Sequence, residues 1–310
     1  MDGRKWPRWP QVGQTVAWWR LQLQDALELL VLPGLAALMP WPVAFALFRQ
    51  LAKWPALYRS ATNAAWTWVK QNLPQVDENT WRYERRLLTL VDHADWVLSM
   101  TRSTAWLRRH VVVQGQWPAP GTSQVICTFH WGAGMWTLPA MRQAGLQVHA
   151  LAASLQGQQF AGRPVLNAYA RWRTGQVVKA LGHPTIDVTA SMRPVLQALK
   201  DHECLLGVVD VPADNFGAGV GVNLLGQAAR VPRGLLRLAA DRQLPVTVFL
   251  AGLDLRTGQR QWTIHQLGVM PDAEILFKTV FQFLNQAMAD SPSAWHLWAE
   301  MPRFTAPPSP

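Results

Sequence analysis

The spacing of apolar positions changes near residue 115. Before that point apolar residues recur every third or fourth position, which predicts helices throughout residues 1–110, with breaks at Pro55 and Pro74. Asp77, Glu78 and Asn79 follow the second break and are suited to capping a helix that continues towards Trp96. We therefore divide the chain into a helical region, residues 1–115, an α/β domain, residues 116–304, and a short tail, residues 305–310.

Short apolar runs alternate with helical patterns after residue 116, which is typical of βαβ units around a largely parallel sheet. The predicted strands are Val125–Phe129, Gln147–Leu151, Cys204–Asp210, Val220–Leu225 and Val246–Ala251. The predicted helices between them are Met135–Ala144, Pro164–Arg173, Met192–Lys200 and Arg233–Arg242. The expected fold class is α/β: a single, mostly parallel (mixed) sheet flanked by helices and preceded by a helical, membrane-associating region.

An uncharged apolar stretch lies in the helical region. Leu29 to Phe48 reads LLVLPGLAALMPWPVAFALF, which is about long enough to cross a bilayer. Its three prolines favour short helices half sunk in one leaflet, with a kinked single span as the alternative. A buried hairpin of a soluble core is a further alternative, but the Trp, Lys and Arg residues around the stretch favour the membrane surface.

Composition points the same way. The net charge is +10, yet only 15% of residues are charged, and eighteen Trp stand against three Tyr. This combination suits an anionic membrane surface better than nucleic acid, so no nucleic-acid partner is expected. The two cysteines match no disulfide or metal spacing, and no cleavable leader follows the basic amino terminus, so secretion is not expected.

Candidate chemistry is concentrated where the first predicted strand ends. Val125–Phe129 leads directly into His130, followed by Gly132 and Gly134 before a helix. Ligands of open α/β sheets bind beyond the carboxyl ends of strands, so His130 is placed where a catalytic base would be, although it could equally be a hydrogen-bonded structural residue. The glycines would let backbone approach a ligand and expose N–H groups to developing negative charge. Cys127 is interpreted as a buried strand residue rather than a nucleophile.

Several motifs together resemble one family, the lipid A biosynthesis acyltransferases of the lysophospholipid acyltransferase superfamily. Residues 130–135, His-Trp-Gly-Ala-Gly-Met, are similar to that family's His-Phe-Gly-Asn-Trp-Glu motif, and residues 171–175 to its Arg-x-Arg-Phe-Gly. Asp210 with residues 220–232 is similar to an "Asp-Gln … Val-Pro-Phe-Phe-Gly" block, and residues 244–246, Leu-Pro-Val, match the apolar strand with proline that follows it. Trp295, Trp298 and Arg303 resemble its carboxy-terminal cluster.

The resemblance implies transfer of a fatty acyl group to a hydroxyl of a lipid or glycolipid at the cytoplasmic face of the inner membrane. The donor would be a thioester of acyl carrier protein or coenzyme A, with no further cofactor. His130 would take the hydroxyl proton, oriented by an acid five residues later. Partners would then be membrane lipids and acyl carrier protein, and we expect a monomer.

This chain departs from the family pattern at that acid, because Met135 occupies the position. We expect Asp210 to supply the missing carboxylate, since parallel strands bring their carboxyl ends to one edge; Asp187 and Asp214 are weaker candidates, and a plain turn or capping acid is the alternative for Asp210. The predicted substrate-binding residues are Gly132, Gly134, Arg171, Arg173, Arg230 and Arg233, the arginines as phosphate or phosphopantetheine clamps that could instead meet solvent.

Met135 also keeps a second hypothesis open, that of a non-catalytic relative that binds lipid or acyl chains. A nucleic-acid-binding protein, the third, rests on charge alone. No metal is expected, because the histidines are scattered and His202-Glu203-Cys204 is interpreted as a turn entering a strand.

Overall fold

A seven-stranded sheet runs through the computed structural model, which describes residues 12–152, 160–215 and 219–305. Its strands are β1 (Val111–Gln114), β2 (Gln124–Thr128), β3 (Val148–Ala152), β4 (Ile186–Asp187), β5 (Cys204–Val208), β8 (Pro245–Leu253) and β9 (Arg260–Val269), in the spatial order β1-β9-β8-β2-β5-β3-β4. From β8 to β4 every pairing is parallel, whereas β9 is antiparallel to β8 and parallel to β1. The predicted fold class, a mostly parallel mixed α/β sheet, is therefore confirmed.

One predicted strand lies outside this sheet. The run at Val220–Leu225 forms most of β6 (Gly219–Leu224), which pairs only with β7 (Gln227–Pro232) in an antiparallel hairpin. Leu225 and Gly226 both have positive φ in the turn between them, and the Asn223 side chain accepts a hydrogen bond from the Gly226 N–H at 2.7 Å. The expectation that this run joins the parallel sheet is thus wrong, because the chain reverses within two residues.

Helices cover both faces of the sheet. They are α1 (Val12–Ala26), α2 (Leu32–Gly34), α3 (Trp41–Leu51), α4 (Arg59–Asn72), α5 (Glu78–Thr101), α6 (Thr104–Arg109), α7 (Thr137–Gln143), α8 (Pro164–Leu181), α9 (Arg193–Lys200), α10 (Gly234–Asp241), α11 (Ala273–Asp290) and α12 (Met301–Thr305). One core, containing Trp96 and Ile126, lies between α5 and the sheet, and a second, containing Val248 and Phe281, lies between α11 and the opposite face. The predicted cap of α5 is confirmed, since Asp77 accepts a hydrogen bond from the Thr80 N–H at 2.8 Å.

The first helix exposes a row of apolar side chains and buries two polar ones, Gln22 and Asp25, beside its apolar contacts with the core. A π-helical turn (Leu27–Val31) and a 3₁₀ turn (Leu35–Leu38) extend it, so that Val16–Leu38 is one helix long and apolar enough to cross a membrane. Only 28% of its most apolar window is buried in the protein. Its buried side carries Asp25, which pairs with Arg163 at 3.0 Å, whereas a row of apolar side chains is exposed: Trp19, Leu23, Leu27 and Val31.

The apolar stretch is therefore divided differently from the prediction. The helix begins before Leu29, and it ends at Leu38 rather than at Pro33 because the π-helical turn precedes the proline. Beyond Pro40, the separate helix α3 packs Trp41, Phe45 and Phe48 into the protein core. That second half of the predicted membrane stretch is thus largely a core element.

The helical region also contributes a strand, because β1 lies before residue 116 and pairs in register with β9, Val111 opposite Arg260. The division at residue 115 stays a prediction, but this pairing joins the two segments in one sheet.

A buried ion pair links α5 to β9 in the same place. Asp95 and Arg260 are both fully buried, and the Arg260 Nε–H donates to an Asp95 carboxylate oxygen at 3.1 Å. The guanidinium carbon lies 4.1 Å from the Trp41 ring centroid and 5.1 Å from that of Trp106. Burial raises the pKa of Asp95 against the opposing effect of Arg260. Two aromatic faces and one carboxylate thus surround a cation that has no access to water.

We expect Arg260→Leu to lower the free energy of unfolding by about 3–5 kcal/mol, because it leaves the Asp95 carboxylate buried without a partner. Denaturant unfolding followed by tryptophan fluorescence measures the change. Arg237→Ala is the matched control, since it breaks an exposed pair with Asp241 and should cost about 0.5 kcal/mol or less. Equal costs for the two variants would contradict the prediction.

Candidate active site

Sheet register brings the two predicted catalytic residues together. In the pairing of β2 with β5, Thr128 lies opposite Val208, and the Val209 N–H donates to the Thr128 carbonyl at 3.0 Å. His130 and Asp210 each follow two residues later, so they occupy equivalent positions on adjacent parallel strands. Their proximity follows from the register and needs no special loop conformation.

The Asp210 carboxylate is fully buried and accepts hydrogen bonds from three donor groups. The His130 backbone N–H lies 2.9 Å from each oxygen, the His130 Nδ1 lies 3.0 Å from Oδ1, and the Trp295 indole N–H donates to Oδ2 at 2.7 Å. A buried carboxylate without such donors would cost several kcal/mol in lost solvation. The donors thus stabilise its charged form, and they include the imidazole of His130.

This contact determines which nitrogen of His130 is free. Because a carboxylate only accepts, Nδ1 carries the proton and Nε2 keeps its lone pair. The side chain is 39% exposed, and Nε2 has no hydrogen-bond partner among the described residues. The arrangement can therefore accept a proton from a ligand hydroxyl at Nε2 while Asp210 stabilises the resulting imidazolium.

A cavity of about 570 Å³ lies in front of His130. Its walls are mostly apolar, with Leu138, Leu151, Leu166, Val177 and Phe249 among the lining side chains. Met135, which replaces the family's acid, is buried and also lines this cavity. A smaller apolar cavity of about 290 Å³ shares Leu151, Ala152 and Val208 with it. The histidine thus faces a space suited to hydrocarbon.

Gly132 is required for packing against the sheet. Its φ is +60°, and a Cβ there would lie 2.0 Å from the Ala251 carbonyl oxygen. Its N–H already donates to the Ala294 carbonyl at 2.9 Å, and the next N–H, of Ala133, donates to Ala251. The expectation that the Gly132 N–H is exposed to a ligand is therefore corrected. Gly134 also lines the cavity, and its role in substrate binding stays a prediction.

A group of hydrogen-bonded polar side chains forms another part of the cavity wall. Arg173 donates to the Asp92 carboxylate at 2.7 Å and to the Tyr169 hydroxyl at 2.9 Å, and that hydroxyl contacts the His93 Nδ1. Burial alone would raise the pKa of Asp92, but Arg173 outweighs it and lowers the value to about 2. Burial lowers the pKa of His93 to about 3. This group of side chains therefore contains the ion pair of Asp92 with Arg173 and a neutral histidine, His93.

His296 supports the His130 loop from the carboxy-terminal segment. Its backbone N–H donates to the His130 carbonyl at 2.8 Å, and its Nε2 donates to the Gly132 carbonyl at 2.7 Å. Arg85 in turn donates to the carbonyls of Trp295 and His296 at 2.9 and 3.3 Å. Burial, with a smaller contribution from Arg85, lowers the pKa of His296 to about 4. The ring is therefore neutral near pH 7.

The other predicted arginines are dispersed. Only Arg173 lines the larger cavity; Arg171 is exposed on α8, and Arg233 is exposed beside the smaller cavity. Arg230 lies on β7, so its expected place at a helix start is wrong, because the strand extends to Pro232. The four arginines thus do not converge on one site in the described part of the chain, and their role in substrate binding stays a prediction.

The weaker candidates also have other partners. Asp214 pairs with Arg303 at 2.7 Å, and Asp187 accepts hydrogen bonds from Thr189. Cys127 is fully buried in β2, and burial raises the pKa of its thiol well above the usual range, as expected for a structural cysteine. His202 lies in a turn and Cys204 begins β5, which confirms the predicted turn into a strand.

Sequence reasoning missed the side chains that support the site. Trp295 was noted only through the resemblance, and its contact with Asp210 depends on a bridge between Trp131 and Trp295, which are far apart in the chain. Asp92 and Arg85 did carry a signal, since they are two of four charged residues, with Arg86 and Asp95, among the buried positions of α5. Such residues require buried partners.

No protein-family model matches this chain, and a search of curated proteins found no match either. The acyltransferase resemblance thus rests on the sequence motifs alone.

The low pKa values of the two histidines predict a loss of stability in mild acid. His93 and His296 are neutral in the folded protein down to about pH 4, whereas their unfolded counterparts bind protons below about pH 6.5. Because the unfolded chain then binds more protons, stability falls as the pH drops through this window. The amide of Gln in His296→Gln can still donate to Gly132. This variant should reduce the slope of the free energy of unfolding against pH by about 1.4 kcal/mol per pH unit between about pH 4.5 and 6.

Denaturant unfolding across this pH range measures the slope. His265→Gln, at an exposed position of β9, is the control and should follow the wild-type curve. An unchanged slope in His296→Gln would show that this histidine does not remain neutral in the folded protein.

Proposed function

We propose that this protein is a membrane-associated acyltransferase that transfers a fatty acyl group from a thioester to a hydroxyl of a lipid or glycolipid. The observation that carries the proposal is the contact of the His130 Nδ1 with the buried carboxylate of Asp210, which leaves Nε2 open to a largely apolar cavity. A base beside a space suited to an acyl chain is what this reaction needs.

In the proposed reaction, Nε2 of His130 accepts the acceptor hydroxyl proton as the oxygen attacks the thioester carbonyl carbon. The tetrahedral intermediate collapses, the carbon–sulfur bond breaks, and the imidazolium returns the proton to the departing thiolate. Asp210 orients the ring and stabilises its positive charge, the part that the acid of a catalytic triad plays. The products are an ester and a free thiol on the carrier.

Support for the membrane comes from the apolar side chains that the first helix exposes. Trp19, Leu23 and Val31 are 56%, 67% and 54% exposed, although the opposite side of the same helix packs against the protein. A contiguous exposed apolar row is uncommon on a soluble protein, so it favours contact with acyl chains. We infer a location at the cytoplasmic face of the inner membrane, where acyl carrier protein or coenzyme A thioesters are accessible.

A second candidate function is a non-catalytic protein that binds acyl chains. Met135 favours it, because the position that bears the motif acid in the resembling family here adds an apolar side chain to the cavity wall. The two functions differ in whether His130 is needed.

We expect His130→Asn to abolish transfer of a labelled acyl group from acyl carrier protein to membrane lipid. Asparagine can still donate to Asp210 but cannot act as the base, so folding and vesicle binding should persist. Asp210→Asn should reduce the rate by about 10⁴, as loss of the orienting acid does in a triad. Product formation by mass spectrometry, with melting temperature as the folding check, measures both effects.

Arg256→Gln is the control for this experiment, because it removes an exposed charge in the turn between β8 and β9, outside the cavity. Retained transfer by His130→Asn would overturn the catalytic proposal. No transfer by the wild type, with tight acyl binding, would favour the non-catalytic function, under which Met135→Glu should not restore turnover.

We expect the double variant Trp19→Gln and Leu23→Gln to lose affinity for anionic lipid vesicles by on the order of a hundredfold. Each residue buries apolar area worth about 1.5–3 kcal/mol when it enters the acyl region. Vesicle flotation measures the bound fraction. Val269→Gln with Ile275→Gln is the matched control, since these side chains are similarly exposed at 49% and 55% but lie outside the first helix. Equal losses of vesicle affinity in the two double variants would show that the first helix does not make the membrane contact.

A further inference from the structure

Two histidines and a glutamate meet at the amino-terminal ends of β3 and β5. His149 is the second residue of β3, Glu203 directly precedes β5, and His183 lies in the turn between α8 and β4. One potential ligand atom from each lies within 4.8 Å of the others. His130 and Asp210 follow the carboxyl ends of their strands, so this cluster lies at the opposite edge of the sheet.

We propose that His149, His183 and Glu203 bind a divalent transition-metal ion, with zinc as the best match. Two imidazoles and one carboxylate are a known zinc ligand set, in which a fourth position stays open to water. Tetrahedral zinc, with bonds of about 2.0–2.2 Å, separates its ligand atoms by about 3.3 Å. The three atoms need only side-chain adjustments to reach that spacing.

Hydrogen bonds around the cluster support ligation. His149 Nε2 lies 2.7 Å from Glu203 Oε2, so these two atoms share a proton. A metal ion could replace that proton between them. His183 Nε2 contacts the Gln147 side-chain oxygen at 2.7 Å, and a ligating histidine is commonly oriented by such a contact.

The surroundings are also suited to a cation. A cavity of about 450 Å³ beside the cluster is lined by two further carboxylates, Asp187 and Asp201. This is a concentration of acidic groups in a chain that carries only 19 acids against 29 Lys and Arg. The expectation of no metal rested on spacing along the chain, whereas these ligands come from three separate segments.

Bound zinc would tie the turn after α8 to the starts of β3 and β5. Because α8 carries Tyr169 and Arg173 into the cavity wall, the ion would hold that wall against the sheet without contacting the reacting groups. We therefore expect bound zinc to stabilise this part of the fold, an effect that does not depend on the proposed acyl transfer.

The test uses the untagged full chain in detergent micelles, freed of metal by a chelator. Titration calorimetry with zinc chloride should give one ion per chain, and zinc should raise the melting temperature. His183→Ala should weaken binding by at least about a hundredfold, since loss even of outer-shell partners costs about 10–100-fold. Cobalt substitution should give the visible absorption of a tetrahedral site, which His183→Ala should lose.

His202→Asn is the matched control, because it removes an exposed imidazole beside Glu203 and asparagine tolerates the positive φ of that residue. It should bind zinc like the wild type. No stoichiometric binding by the wild type, or equal affinity in the wild type, His183→Ala and Glu203→Gln, would overturn the proposal. Acyl transfer is not part of the readout, so the result is independent of the catalytic experiment.

Discussion

The buried carboxylate of Asp210 is the constraint on which the His130 edge of the sheet depends. A charge without access to water has to be matched by donors, and here they come from the His130 backbone, the His130 ring and the Trp295 indole. These donors belong to the end of β2 and to the carboxy-terminal segment, while Asp210 follows β5. Satisfying one carboxylate therefore holds three distant segments together and selects the tautomer of the histidine at the same time.

The same physical rule fixes how the helical layer lies on the sheet. Asp95 and Arg260 have no contact with water, and the rings of Trp41 and Trp106 replace the solvent around the guanidinium. Close packing already resists movement of α5 along the sheet, and the buried pair adds a large cost to any arrangement that separates its charges. Because α5 also carries Asp92 and Arg85, fixing its position sets one wall of the cavity and supports the carboxy-terminal segment behind His130.

Sequence patterns predicted the central strands because these are continuous apolar runs, and they predicted the partnership of His130 with Asp210 because parallel strands end at one edge. They did not predict β9. Trp262 and Ile264 alternate with polar residues there, as in a strand, but the buried residue at its start is Arg260, and a charged residue is expected at the surface. The hairpin of β6 and β7 was misplaced because local spacing does not say which sheet a strand joins. Trp295 and His296 depend on a long-range bridge to the His130 loop, which no local pattern encodes. The polar face of the first helix was unreadable for the same reason, since its Asp25 is explained only by distant Arg163.

Replacing the motif acid by Met135 changes where the orientation of the histidine originates. An acid in the same loop would move with His130 whenever that loop moves. Asp210 instead follows a neighbouring strand whose register, Thr128 opposite Val208, is set by the whole sheet, and its side chain is held further by Trp295. The proposed base is thus oriented by a carboxylate that directly follows a central strand of the sheet. Met135 does not orient the histidine, and its side chain adds to the apolar wall of the cavity. A cavity that loses one carboxylate also becomes cheaper to fill with hydrocarbon, because less polar surface must be desolvated when an acyl chain enters. In the proposed function, a carboxylate supplied after β5 would therefore favour acyl binding, and His130 still has its carboxylate partner.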